Sequence, residues 1–101
     1  MTIRWLRTAV RNRFEQLDYI AQDDPAAAAR MDEEIEHQAD LLERSPLIGR
    51  NGRVKGTREL VVGRTPYIVV YRVRNKRIEI LHLLHGAQQW PQTTAPRRRR
   101  A

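Results

Sequence analysis

Arg53, Lys55, Arg58, Arg72, His82 and His85 have the side-chain types needed to handle a phosphodiester. RNA cleavage by 2′-hydroxyl attack requires a base, an acid and cations around the scissile phosphate. Histidine exchanges protons near neutral pH, and arginine grips phosphate through two parallel hydrogen bonds. Arg58 and His85 are therefore the candidates for catalytic roles. Arg53, Lys55, Arg58, Arg72, His82 and Trp90 are the candidates for contact with a target. Each has a plainer alternative. Arg58 suits a salt bridge to Glu79 on another strand, or a charge that blunts a sheet edge. Arg53 and Lys55 fall in a loop, where solvation alone accounts for them. Trp90 either stacks on a base or folds back to cap the core. His82 and His85 stand three apart in a strand, so they point to opposite faces and cannot form a metal pair. No metal and no cofactor is expected.

These residues need a scaffold, and 101 residues are enough for one small domain with one core. The chain is 41% hydrophobic and 31% charged, a balance that folds rather than stays disordered. It has no cysteine, which excludes a disulfide framework and a thiolate metal site. The opening MTIRWLRTAVRNRF is broken by arginines, and the longest apolar runs, such as YIVVY, are far too short to span a bilayer. A cytoplasmic location is expected. Charge is divided unevenly: residues 1–43 carry a net −5 and residues 44–101 a net +12. Without the terminal RRRR, residues 44–96 still hold +8, so the basic character belongs to the folded body. Such asymmetry points to an anionic partner for the second half.

The positioning elements follow from periodicity. IRWLR (3–7) alternates as a strand, and from Ala9 the period becomes helical through Val10, Phe14, Leu17 and Ala21. Asp24 is a natural N-cap and Pro25 fits the first helical position, so a second helix runs from Pro25 to about Arg44. Its apolar positions include Ala28, Met31, Ile35 and Leu42; Asp32, Glu33, Glu34, Glu36, Asp40 and Glu43 form the outer face. Val10, Phe14, Leu17 and Met31 read as core, as does Trp5. After the loop SPLIGRNGR come three strands, 58–62, 67–73 and 77–85, joined by turn-length GRTP and RNK as an antiparallel meander. YIVVY, apolar throughout, should be covered on both faces. The order β-α-α-β-β-β predicts an α+β fold, with an N-terminal strand and an αα-hairpin packed on a largely antiparallel sheet. Residues 1–91 form the expected domain and 92–101 a basic tail expected to be disordered.

Taken in order, YIAQDDPAAA, SPLIGRNGRVKGTREL, PYIVVYRV and IEILHLLHGAQQWP resemble the RelE/ParE superfamily, the toxins of bacterial type II toxin–antitoxin modules. The likeness covers roughly residues 2–91. Its most specific pieces are Gly56-Thr57-Arg58-Glu59-Leu60, Tyr67 to Val73, and Leu84-His85-Gly86 to Trp90-Pro91. The resemblance implies growth inhibition, neutralisation by an antitoxin whose C-terminal segment wraps the toxin, a toxin–antitoxin hetero-oligomer, and a role such as plasmid stabilisation. RelE-type members cut mRNA in the ribosome without a metal; ParE-type members inhibit DNA gyrase. RelE-type ribonucleases tend to carry arginine in the strand matching 67–71 or near the last strand, with a tyrosine close to the C-terminus. Here 67–71 lacks arginine, His82 stands in the last strand and Trp90 is the terminal aromatic. The lean is toward ParE-like gyrase inhibition. A RelE-like endoribonuclease and a small basic nucleic-acid-binding protein are the alternatives.

Overall fold

A computed structural model describes residues 1–86. Ile3 and Trp5 alternate with Arg4 in β1 (Thr2–Trp5), and both apolar side chains pack on the core. The chain continues into α1 (Arg7–Ala21) and α2 (Pro25–Asp40). Asp24 caps α2 as expected: its carboxylate accepts from the Ala27 amide at 3.0 Å, and Pro25 sits in the first turn, where no N–H is needed. The α-helix ends at Asp40, earlier than expected, and tightens into a 3-10 turn, Leu41–Glu43. Then come β2 (Arg50–Asn51), β3 (Arg58–Val61), β4 (Tyr67–Arg74) and β5 (Arg77–His85). β2 lies inside the expected loop; two residues are too few to show a period. The sheet order is β1-β5-β4-β3-β2, parallel only between β1 and β5.

Both helices pack on one face of this sheet. Ala9, Ile35 and Ala39 meet Tyr67, Val69, Tyr71, Ile78, Ile80 and Leu83 in the main core. Ile68, Val70 and Leu84 form a second buried cluster with Leu81 against it. YIVVY is buried at every position, as its composition required of a central strand. Val70 pairs with His82 and Tyr71 with Ile80, so Leu81 is an extra residue on β5, a bulge. The bulge turns His82, with Val70, to the face that carries no helix among the described residues, termed the helix-free face, whereas His85 pairs with Tyr67 on the helix side.

β1 ends at Trp5, opposite Ile80, which leaves the β5 main chain beyond it without a strand partner on that side among the described residues. Helix α1 fills the gap. Gln16 donates to the Leu83 carbonyl at 2.7 Å, and the Leu83 amide donates to Asn12 Oδ1 at 3.2 Å. A buried sheet edge needs such partners. Because Asn12 and Gln16 must face β5, the apolar stripe through Val10 and Phe14 rotates outward. Those two side chains are 52% and 69% exposed, contrary to their expected place in the core, while Leu17 and Met31 do pack against it. Arg13 joins three elements: it bonds Asp32 Oδ1 at 2.7 Å and Glu36 Oε1 at 2.9 Å, and its guanidinium lies 4.6 Å from the Trp5 ring centroid. Asp32 and Glu36 are thus turned toward α1 rather than lying on an outer acidic face.

The connection between the helices and β3 is held by two buried anchors. The Tyr71 hydroxyl accepts from the Gly49 amide at 2.9 Å and donates to the Pro46 carbonyl at 2.8 Å. The Glu59 carboxylate, 2% exposed, accepts from the Arg53 amide at 3.0 Å, from Arg53 Nε at 3.1 Å and from Arg50 Nη2 at 3.1 Å. Burial pushes the Glu59 carboxyl up, but the hydrogen bonds from Arg53 and Arg50 outweigh it and hold the group below its ordinary value. Gly56, with φ +86°, makes the turn between Arg53 and β3 that closes this loop.

Glu59→Gln should cost about 2 kcal/mol in urea unfolding at neutral pH, since both arginines are partly exposed and soften the loss. A carboxyl whose folded value is lowered stabilises the fold above its unfolded value, about 4.3, and stops doing so as pH falls toward the folded value. The gap between wild type and Glu59→Gln should therefore close below about pH 4.3; a gap constant down to pH 3 would exclude the carboxylate as its source. Gly49→Ala would place a methyl 2.7 Å from Tyr71 Cε1 and Oη. It should lower stability by about 2 kcal/mol or more, and a thermal scan matching wild type would contradict the Tyr71 anchor.

Candidate functional site

Residues paired across a sheet share a face, so the register arranges the helix-free face in rows. The first row is apolar, with Val61, Ile68 and Leu84; the second runs Arg50, Glu59, Val70 and His82. Next comes Arg72, Glu79 and Arg4, and last Thr2 beside the facing pair Arg74 and Arg77. Rows two residues apart along a strand are separated by about 6.7 Å. The face therefore grades from buried aliphatics to a cationic end. Arg72 Nε bonds Glu79 Oε1 at 2.7 Å. That hydrogen bond, helped by the positive charges of Arg72, Arg74 and Arg77, holds the Glu79 carboxyl below its ordinary value against a smaller opposing effect of burial. Burial lowers the pKa of His82, so its imidazole is neutral at neutral pH.

The residues proposed from sequence divide between two faces. Arg72 and His82 stand on the helix-free face, and Arg53 is drawn to that face through Glu59. Lys55 is exposed in the adjacent loop. Arg58 pairs with Tyr71 and points the other way; its Nη1 donates to the carbonyls of Gly49 at 2.8 Å and Leu47 at 3.2 Å. The expected Arg58–Glu79 salt bridge does not form, because Glu79 belongs to the opposite face and is taken by Arg72. Arg58 is not on an edge strand either, since β2 pairs outside it. His85 ends β5 with its ring edge-on to Tyr67, centroids 6.1 Å apart, and lines a recess with Glu15, Gln16, Tyr19, Ile20 and Pro66. Burial pushes the Tyr67 and Tyr71 hydroxyls up, so both stay protonated at neutral pH. Trp90 lies outside the described residues, as does the 92–101 tail.

Arg58 and His85 are not neighbours. Their partners Tyr71 and Tyr67 are four residues apart on β4, about 13 Å, and they stand on the two strands flanking it. The structure does not bring them to one phosphate. Sequence reasoning left out Arg4, Arg74 and Arg77, although the alternation in RVRNKR, continued across a two-residue turn, places Arg72, Arg74 and Arg77 on one face. It also left out Glu59, which organises Arg50 and Arg53. Among the described residues no group of three or more His, Cys, Asp or Glu side chains is placed to hold a metal ion, and no helix is long and apolar enough to cross a membrane.

A further feature is a groove of about 510 Å³ along the outer side of the helical hairpin, lined by Val10, Phe14, Leu17, Ala21, Ala28 and Ala29, with Arg13, Asp18 and Asp32 at its rim. Comparison with known proteins supplies the context for these surfaces. Residues 3–90 match the model of the ParE toxin of the type II toxin–antitoxin system parDE. Y4kP of Sinorhizobium fredii, a protein named as a toxin, is 48% identical over 90 residues, covering 89% of this chain and 93% of the relative. A structure of the chromosomal ParDE toxin–antitoxin system from P. aeruginosa superposes with a TM-score of 0.77 at 27% identity, over 84% of this chain and 95% of the other. The RelBE2 toxin–antitoxin complex of Mycobacterium tuberculosis gives a TM-score of 0.55 at 26% identity, over 83% of this chain and 95% of the other. A strand, a helical hairpin and a five-strand sheet matched over nearly the whole length leave one assignment: this chain belongs to the ParE toxin family of type II toxin–antitoxin systems.

Proposed function

We propose that this toxin halts growth by binding DNA gyrase rather than by cutting mRNA, and that its antitoxin lays a helix along the α1–α2 groove. The separation of Arg58 from His85 carries the first part. The cation nearest a catalytic role is tied to two carbonyls, and the proton carrier sits at the far end of the sheet. Arg53 is held by Glu59 and Arg72 by Glu79. A phosphate clamp would first have to break these contacts. A protein-binding face needs no such rearrangement: exposed Val61 and the graded charge beside it suit a partner surface as they stand.

Exposed Val10 and Phe14 support the second part. Placed at i and i+4 on α1, they form a ridge beside the alanines of α2, and an amphipathic helix buries such a groove with its apolar face. The relatives solved as toxin–antitoxin systems make an antitoxin the occupant of choice.

Purified toxin should inhibit gyrase supercoiling and leave mRNA intact on programmed ribosomes, and His85→Ala should inhibit as well as wild type. Ribosomal cleavage that disappears in His85→Ala and Arg58→Ala, with gyrase untouched, would replace this reading by the ribonuclease one. For the groove, Phe14→Asp should weaken binding of the antitoxin's C-terminal peptide about 100-fold in calorimetry, the worth of one buried aromatic anchor. Because Phe14 is exposed, the thermal stability of the toxin alone should not change; unaltered affinity would place the antitoxin elsewhere.

A further inference from the structure

The β4–β5 turn breaks two local rules at once. Asn75 and Lys76 join the strands with φ of +51° and +61°, the two-residue turn that favours glycine at its second position, yet a lysine stands there. On either side Arg74 and Arg77 face each other directly, a like-charge pair that weakens a hairpin. Backbone strain and charge repulsion concentrated in four exposed residues mark a site kept for something other than folding. Glu79 offsets this charge only in part, through its electrostatic attraction to Arg74 and Arg77. Among the described residues none of Arg4, Arg74, Lys76 and Arg77 forms a salt bridge, and Glu79, the carboxylate of the neighbouring row, is already held by Arg72.

We propose that this hairpin tip, with Arg4 beside it, binds the phosphodiester backbone of a nucleic acid. Facing arginines present two guanidinium forks side by side, each able to take two phosphate oxygens. Lys76 adds a point charge at the apex, and Arg4, a row away on the same face, extends the patch. β3 begins at Arg58, opposite Tyr71, so Arg72 to Arg74 run past it and form the sheet edge there, backed by β5 and β1. The inference is tested apart from the gyrase reading: it concerns a different ligand, and its readout is nucleic-acid binding rather than gyrase inhibition.

The test measures binding of purified full-length toxin to three labelled probes: a duplex DNA of about 20 base pairs, a single-stranded RNA of about 20 nucleotides, and poly-glutamate. Each is titrated at several salt concentrations. On duplex DNA the double variant Arg74→Gln/Arg77→Gln should bind about tenfold more weakly at 0.1 M salt, and the slope of log affinity against log salt should fall by about 1.8, since each lost phosphate contact removes about 0.9. Lys76→Gly should lower the slope by about 0.9 while raising the thermal midpoint, because glycine relieves the turn. All variants are repeated with Arg97–Arg100 replaced by glutamine, which separates the tip from the tail, and circular dichroism confirms that each is folded. A loss on DNA, on RNA or on both supports the proposal and names its source. Unchanged slopes in folded variants, differences that vanish once the tail is neutral, or an equal loss on poly-glutamate would each overturn it.

Discussion

A carboxylate enclosed in a sheet must be compensated, and Glu59 is enclosed. Its two oxygens collect the Arg53 amide and the guanidinium groups of Arg53 and Arg50, and this draws the 44–57 connection against β3. β2 pairs with β3 at Arg50 and Asn51, beside this same carboxylate. The row of cations approaching β3 is therefore first a structural device. Arg53 satisfies a buried anion, and Arg58, facing the other way, satisfies two carbonyls of the same connection. Burial without these partners would cost several kcal/mol. With them, the loop stays closed against β3.

The second constraint comes from the short first strand. Because β1 stops at Trp5, α1 has to serve as a substitute strand for Leu83, and its sheet-facing side is chosen for hydrogen bonding rather than for apolar character. The helix is left with apolar side chains that the core does not use. In a lone soluble domain exposed Phe14 and Val10 would be a liability; here they line the groove in which we propose that the antitoxin helix docks. Arg13 crosses from α1 to α2 and Trp5 at the rim of this groove and ties its two helices together.

The sheet keeps its two faces chemically distinct. One is occupied by the helices, with Tyr71 reaching out from beneath them to anchor the loop. The other grades from aliphatic to cationic over four rows. The bulge at Leu81 decides which titratable group joins which face: it sends His82 to the graded face and leaves His85 beside Tyr67.

Strand and helix positions were legible in the sequence because they rest on local properties: the alternation in RIEILHLLH, the Asp24-Pro25 start of α2, the continuous apolar run of β4. Family membership was legible for the same reason, since its pieces recur in order. The phase of α1, the two-residue β2, the bulge at Leu81 and the partners of Arg58, Glu59 and Glu79 were not. Each depends on which residue of one element meets which residue of another. A pattern of periods states how a segment folds and which side it tends to bury. The register between strands, and the unpaired main-chain groups that a short strand leaves behind, exist only once the sheet is assembled. Those long-range pairings tied Arg58 to a loop and turned Phe14 out to solvent.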